Sequence, residues 1–147
     1  MFKRILVATD GSALSAKAVD KAIALAQAVG AELFALKVVH MQPEAHWDGA
    51  LNHERAAHAK LEGQQTELAQ AVVDAVKASG QGAGIQVTAL TVKASSVADA
   101  VIEAAQNKGC DLIVMASHGR RGLARVLLGS ETQHVLTHSQ IPVLVLR

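Results

Sequence analysis

Lys3-Arg4-Ile5-Leu6-Val7-Ala8-Thr9-Asp10-Gly11-Ser12 decides the fold class. The apolar run is short and partly β-branched, and it stops at the turn-forming Asp10-Gly11-Ser12. It therefore reads as a buried strand followed by a turn. Ser12 suits a helix N-cap. After it Ala16, Val19, Ala22, Ile23, Ala26 and Val29 recur at helical spacing, and Gly30 suits a left-handed stop. Glu32 to His40 is a second strand. A strand, a helix and a strand in this order are the repeating unit of parallel sheets.

The alternation continues outward. Met41 to Leu51, with Pro43, Trp47 and Gly49, reads as a loop that could cover the sheet edge or a ligand site. A helix is predicted from there to about Ser79, with Ala57, Leu61, Leu68, Val72 and Val76 as its inward stripe, and the run Gly80 to Gly84 breaks it. Ile85 to Val92 is a third strand, whose Gln86, Thr88 and Thr91 suit a sheet edge. Ser95-Ser96 caps a helix with Val97, Val101, Ile102 and Ala105 inward, ending at Gly109. Asp111 to Ala116 is a fourth, almost wholly apolar strand. Ser117 to Gly129 is a glycine-rich loop, a short helix starts near Ser130, and Ile141 to Leu146 is the last strand. The predicted class is α/β, an open parallel sheet with helices on both faces. The last strand is apolar on both faces and has no later strand to pair with. It is expected either to join a second copy in a homodimer or to be covered by its own helices.

Composition narrows the function classes. A chain of 147 residues, at about 150 per domain, is expected to form one domain spanning 1–147. Half of it is hydrophobic and 18% is charged, which excludes a disordered chain. No apolar run reaches the ~18 residues of a membrane span, and the first residues do not resemble a secretory leader, so a soluble cytoplasmic protein is expected. The net charge of +1 gives no strong pull on nucleic acid or anionic membrane. Aromatic residues are 2% with no tyrosine, which leaves no base-stacking platform for single strands. One cysteine, Cys110, excludes an intrachain disulfide and a Cys-based metal cluster; it reads as a buried, inert thiol.

Open α/β sheets bind ligands beyond the carboxyl ends of their strands, where the strand order reverses. Two loops qualify: Ala8 to Ser12, and Ala116 to Ser130. In the second, Gly119 and Gly122 permit positive φ and close approach, Arg120, Arg121 and Arg125 add positive charge, and Gly129-Ser130 stands before a helix whose free N–H groups suit a phosphate. Ser130 either donates to a phosphate or caps its own helix, the commoner use. Asp10 either meets a ribose hydroxyl or a divalent cation, or fixes the turn.

Other motifs exclude more than they suggest. The chain has no P-loop signature, no Gly-x-Gly-x-x-Gly after the first strand and no Gly-x-Ser-x-Gly elbow. His134 and His138 have a metal-ligand spacing without a matching third ligand, so interaction with the helix C-terminus is the expected role. His46, His53 and His58 read as a solvated face, and His118 as structural or secondary to a phosphate site.

Three stretches together resemble the universal stress protein family: Ile5 to Ser12; Ala116-Ser117-His118-Gly119-Arg120-Arg121-Gly122 with Leu127-Leu128-Gly129-Ser130; and Ile141-Pro142-Val143-Leu144-Val145. ATP-binding members carry Gly-x2-Gly-x9-Gly-Ser/Thr. Gly119, Gly129 and Ser130 match its later part, and Ala116 replaces its first glycine, a change that fails only if the position needs positive φ. Ser95-Ser96-Val97 replaces a common Gly-x-Pro. The resemblance implies five parallel strands in the order 3-2-1-4-5, a Rossmann-like fold of the adenine nucleotide alpha hydrolase type. It implies a nucleotide-binding set of Ala8, Thr9, Asp10, Val38, Met115, Ala116, His118, Gly119, Arg120, Gly129, Ser130, Glu131 and Thr132. Adenine would lie near Ala8 and Val38, the ribose near Asp10, and the triphosphate on Gly119, Gly129 and Ser130. Thr132 would offer a second hydroxyl, Asp10 could hold Mg²⁺ with the phosphates, and the dimer would form through the last strand. Glu131, between the two hydroxyls, suits a first helical turn but would not welcome a phosphate. The expected function is ATP binding in a stress-response regulator, with slow hydrolysis at most. The alternatives are a nucleotide-free interaction module and a ligase- or pyrophosphatase-type relative of the same sheet.

Overall fold

Two apolar layers, one on each side of a parallel sheet, organise the chain. The computed structural model describes residues 1–41, 52–119 and 128–147. Its elements are β1 (Arg4–Ala8), α1 (Ala13–Val29), β2 (Glu32–His40), α2 (Asn52–Gly82), β3 (Val87–Ala94), α3 (Val97–Asn107), β4 (Leu112–Ala116), α4 (Ser130–His138) and β5 (Val143–Leu146). The strands are parallel in the order β3-β2-β1-β4-β5.

Side-chain alternation explains the layers. In β1, Ile5 and Val7 point to one face and Leu6 to the other, all three fully buried. The first face carries α1 and α2 over Leu33, Ala35, Val87 and Val114. The second carries α3 and α4 over Phe34, Leu36, Ile113 and Met115. Each fully buried Leu, Ile or Val contributes about 1.5–3 kcal/mol, so the central strands anchor both layers. The partly polar β3 and the apolar β5 are the two edges. Leu144 is 39% exposed at the β5 edge.

The ends of α1 follow the sequence. Ser12 Oγ accepts from Ser15 N–H at 3.2 Å, and Gly30 closes the helix at φ 71°. Ala16 lies on the exposed face instead, and Ser15 and Ala18 take inward positions.

The long helix α2 departs from the predicted stripe. Its buried residues are Ala69, Val73, Val76 and Gly80, spaced 4, 3 and 4 apart. Leu61 and Leu68 are 53% and 68% exposed, and Ala57 is exposed too. Only the C-terminal part of this 31-residue helix lies on the sheet: at ~1.5 Å per residue it outruns the strands it covers. The helix also continues to Gly82, because Gly80 is a packing residue: a Cβ there would collide with Val87. The turn comes at Gly84, φ 76°, which delays β3 to Val87. No helix among the described residues is long and apolar enough to cross a membrane.

Candidate functional site

β1 and β4 are neighbours, but their following helices leave to opposite faces, α1 to one and α4 to the other. The crevice therefore opens beyond Ala8 and Ala116. β2 runs on to His40, paired with Ala94 of β3, and forms one wall past the end of β1.

The β1 turn is a closed hydrogen-bond circuit. Ser15 Oγ donates to Ser12 O at 3.0 Å, so the Thr9 hydroxyl, 3.0 Å from Ser15 Oγ, is the donor of that pair. Gly11 N–H in turn donates to Thr9 Oγ1 at 3.2 Å. Ser12 N–H donates to Asp10 Oδ1 at 2.8 Å, an Asx turn. The Thr9 side chain is thus buried in the turn. Asp10 is held with its Oδ2 against Gly119, where a Cβ would overlap that oxygen. The two candidate loops meet at this contact.

On the β4 side, Ser117 N–H donates to Leu146 O and Gly129 N–H to Ser117 O, both at 2.7 Å. These bonds fold the loop's far end back onto β4. A Cβ on Gly129 would lie 3.3 Å from both Ser117 O and His118 Cα, so any other residue needs its neighbours to give by a few tenths of an ångström. Neither Gly119 nor Gly129 has positive φ, contrary to the conformational reason expected for Gly119; room is what both supply. Ala116 lies in extended β4 opposite Leu146, and no described non-glycine residue has positive φ. The condition under which alanine fails there is not met.

The capping reading of Ser130 is overturned. Gly129 is the N-cap of α4, Ser130 is the first helical residue, and no side chain among the described residues caps this helix. Helical bonding starts only at Gln133 N–H on Gly129 O, so the first-turn N–H groups of Ser130, Glu131 and Thr132 face the crevice end of the axis. The Thr132 hydroxyl, expected at the phosphates, is buried and donates to Ala116 O at 3.0 Å, tying α4 to β4. The Glu131 carboxylate turns aside to accept from Ala98 N–H at 2.8 Å. His118 Nδ1 lies 3.1 Å from Ser117 Oγ. The side chains of Val38 and Met115 pack in the α3–α4 layer, and Val38 O accepts from Lys37 Nζ at 2.9 Å. Arg120, with Arg121, Gly122 and Arg125, lies outside the described residues, as do Trp47 and His46.

Elsewhere, His134 Nε2 meets Asp99 Oδ1 at 2.8 Å and His138 Nδ1 lies 2.9 Å from His134 O, with the two rings stacked. No group of three metal-ligating side chains occurs among the described residues. His53 and His58 are exposed on α2. Burial pushes the Cys110 thiol up to about 11, which leaves it unreactive.

Ser15 and Ala98 were not anticipated from the sequence. Ser15 stands three residues after a capping serine, a local pattern that could have flagged it. Nothing local links Glu131 to Ala98, 33 residues away.

The first turn of α4, Gly119, Gly129 and the Asp10 carboxylate lie at the carboxyl ends of β1 and β4. The model of the universal stress protein family matches residues 1–147. A universal stress protein of Methanocaldococcus jannaschii is 33% identical over 153 residues, covering 100% of this chain and 83% of that protein. The solved structure of another protein of that organism, MJ0577, superposes with a TM-score of 0.82 at 27% identity, covering 99% of this chain and 96% of that one. Two more distant structures share the fold: a universal stress protein in complex with cAMP (24% identity, TM-score 0.72, 99% of this chain and 97% of that one) and the Archaeoglobus fulgidus protein in complex with dAMP (16%, 0.66, 99% and 98%).

Proposed function

The chain belongs to the universal stress protein family, and from that premise we propose that it binds an adenine nucleotide across the carboxyl ends of β1 and β4. The observation that carries this reading is the meeting of Asp10 with Gly119 beside the uncapped first turn of α4. The phosphates take the N–H groups of Ser130, Glu131 and Thr132 and the Ser130 hydroxyl. Gly119 and Gly129 give them room, and Asp10 orients the ribose or holds Mg²⁺ with ATP. The base lies along the backbone of Ala8, Thr9 and Val38, with Met115, Ala116, His118 and Arg120 around it and the phosphates. Complexes of relatives with cAMP and dAMP support an adenine ligand. ATP brings a phosphoanhydride to the site; the residues named bind and orient it. In this reading the protein is a single-domain, cytoplasmic stress-response regulator whose dimer forms through β5, where Leu144 stays exposed.

A thermal shift with Mg-ATP and with AMP, on wild type and Gly129→Val, tests the reading. A ligand at about a hundred times its Kd stabilises by about 2.7 kcal/mol, on the order of 5–10 °C for a domain of this size. The shift is expected in wild type and absent in Gly129→Val. No shift in wild type at millimolar nucleotide overturns the reading in favour of a nucleotide-free interaction module.

A further inference from the structure

Glu131 stands in the first turn of α4 between Ser130 and Thr132, yet its carboxylate is spent on another helix. Oε2 accepts from Ala98 N–H at 2.8 Å, beside the Ser96 Oγ that accepts from Asp99 N–H at 3.3 Å. One turn further along α4, His134 Nε2 meets Asp99 Oδ1 at 2.8 Å and holds the same helix pair together. The carboxylate is therefore anchored. It cannot swing away from an anion at α4 without giving up a charge-assisted bond at the positive end of α3.

The geometry points to Glu131 as a specificity-determining residue that sets how many phosphate charges the α4 turn accepts; this rests on the nucleotide reading above. A fixed negative charge repels a ligand in proportion to the ligand's own charge, so it disfavours a triphosphate more than a monophosphate. Glu131 is exposed, so the discrimination is modest and falls with added salt.

Calorimetric titration of AMP, ADP and ATP, without divalent cation, into wild type, Glu131→Gln and Glu131→Asp tests the inference. Glutamine keeps an oxygen for Ala98 N–H and removes the charge. Aspartate keeps the charge and is one methylene too short for the same bond. Glu131→Gln is expected to tighten ATP about fivefold, ADP less and AMP less than about twofold, with the gradient shrinking in salt. Glu131→Asp is expected to show no such gradient. An equal change for all three ligands, or none, overturns the inference. So does a gradient of equal size in Glu131→Asp, which would trace selectivity to the Ala98 bond and not to charge. Wild type and variants that bind none of the three overturn the nucleotide reading itself, a result distinct from binding with a flat gradient.

Discussion

α3 and α4 pack side by side on one face of the sheet, and their first turns are finished in opposite ways. At α3, Ser96 takes the Asp99 N–H and Glu131 reaches across to take that of Ala98. At α4, Gly129 occupies the cap position with no side chain to offer, and the serine stands one residue later, inside the helix. One N-terminus is capped by side chains from within the protein; the other has no capping side chain among the described residues. Glu131 is the link between them, because the carboxylate best placed to neutralise α4 is bound to α3.

The comparison is broken most severely by closing the open end. Gly129→Asp supplies a carboxylate at the α4 cap and a Cβ where Ser117 O and His118 crowd the backbone. The nucleotide-induced shift is expected to vanish, while the ligand-free protein stays folded with its midpoint within a few degrees; retention of the full shift would show that the phosphates bind elsewhere. Next in size is Thr132→Val, which keeps the shape but leaves Ala116 O, buried at the end of β4, without its 3.0 Å partner. A loss of about 1–3 kcal/mol is expected in urea unfolding. Ser96→Ala should cost less, about 1 kcal/mol, because Glu131 still holds one donor of the same turn. Equal costs for Ser96→Ala and Ser12→Ala, whose helix has no such second acceptor among the described residues, would show that the Glu131 bond adds nothing to α3.

Features set by neighbouring residues were legible in the sequence, and features set across the fold were not. The bounds of α1 and β2 follow from Ser12, Gly30 and an apolar run, all local signals. The pairing of the two candidate loops followed from the strand order that the family resemblance implied; the alternation of strands and helices alone does not fix it. In α2 the apolar residues Ala57, Leu61 and Leu68 marked a face that no sheet covers, because the helix is longer than its support. At the site, Gly119, Gly129 and Asp10 were legible as residue types that suit close approach and a turn. The roles of Ser130, Glu131 and Thr132 were not. They depend on which residue becomes the cap and on hydrogen-bond partners 33 and 16 positions away, the donor Ala98 N–H and the acceptor Ala116 O.

The smallest expected effect concerns a third way of satisfying chain ends, at the opposite end of the sheet from the crevice. Asp111 Oδ2 accepts from Lys3 N–H at 2.8 Å and Oδ1 from Arg4 N–H at 3.1 Å, clamping the start of β1 to the start of β4. Burial pushes this carboxyl up, but the Lys3, Arg4 and Asp111 backbone N–H groups and the nearby N-terminal charge together hold it below the usual carboxylate range. A carboxyl lowered in the folded state stabilises the fold above its unfolded pKa, and the contribution is lost as pH falls through the lowered folded value. The clamp should therefore act at neutral pH and fade in the acid range below about pH 4. Asp111→Asn keeps one acceptor and removes the charge. A loss of about 0.5 kcal/mol at pH 7 is expected, given how solvent-screened the site is, narrowing as pH falls into the acid range. Urea midpoints of the two proteins between pH 3 and 7 measure it. Parallel curves across that range would mean that the clamp works by shape alone and that its charge is idle, unlike the carboxylate of Glu131.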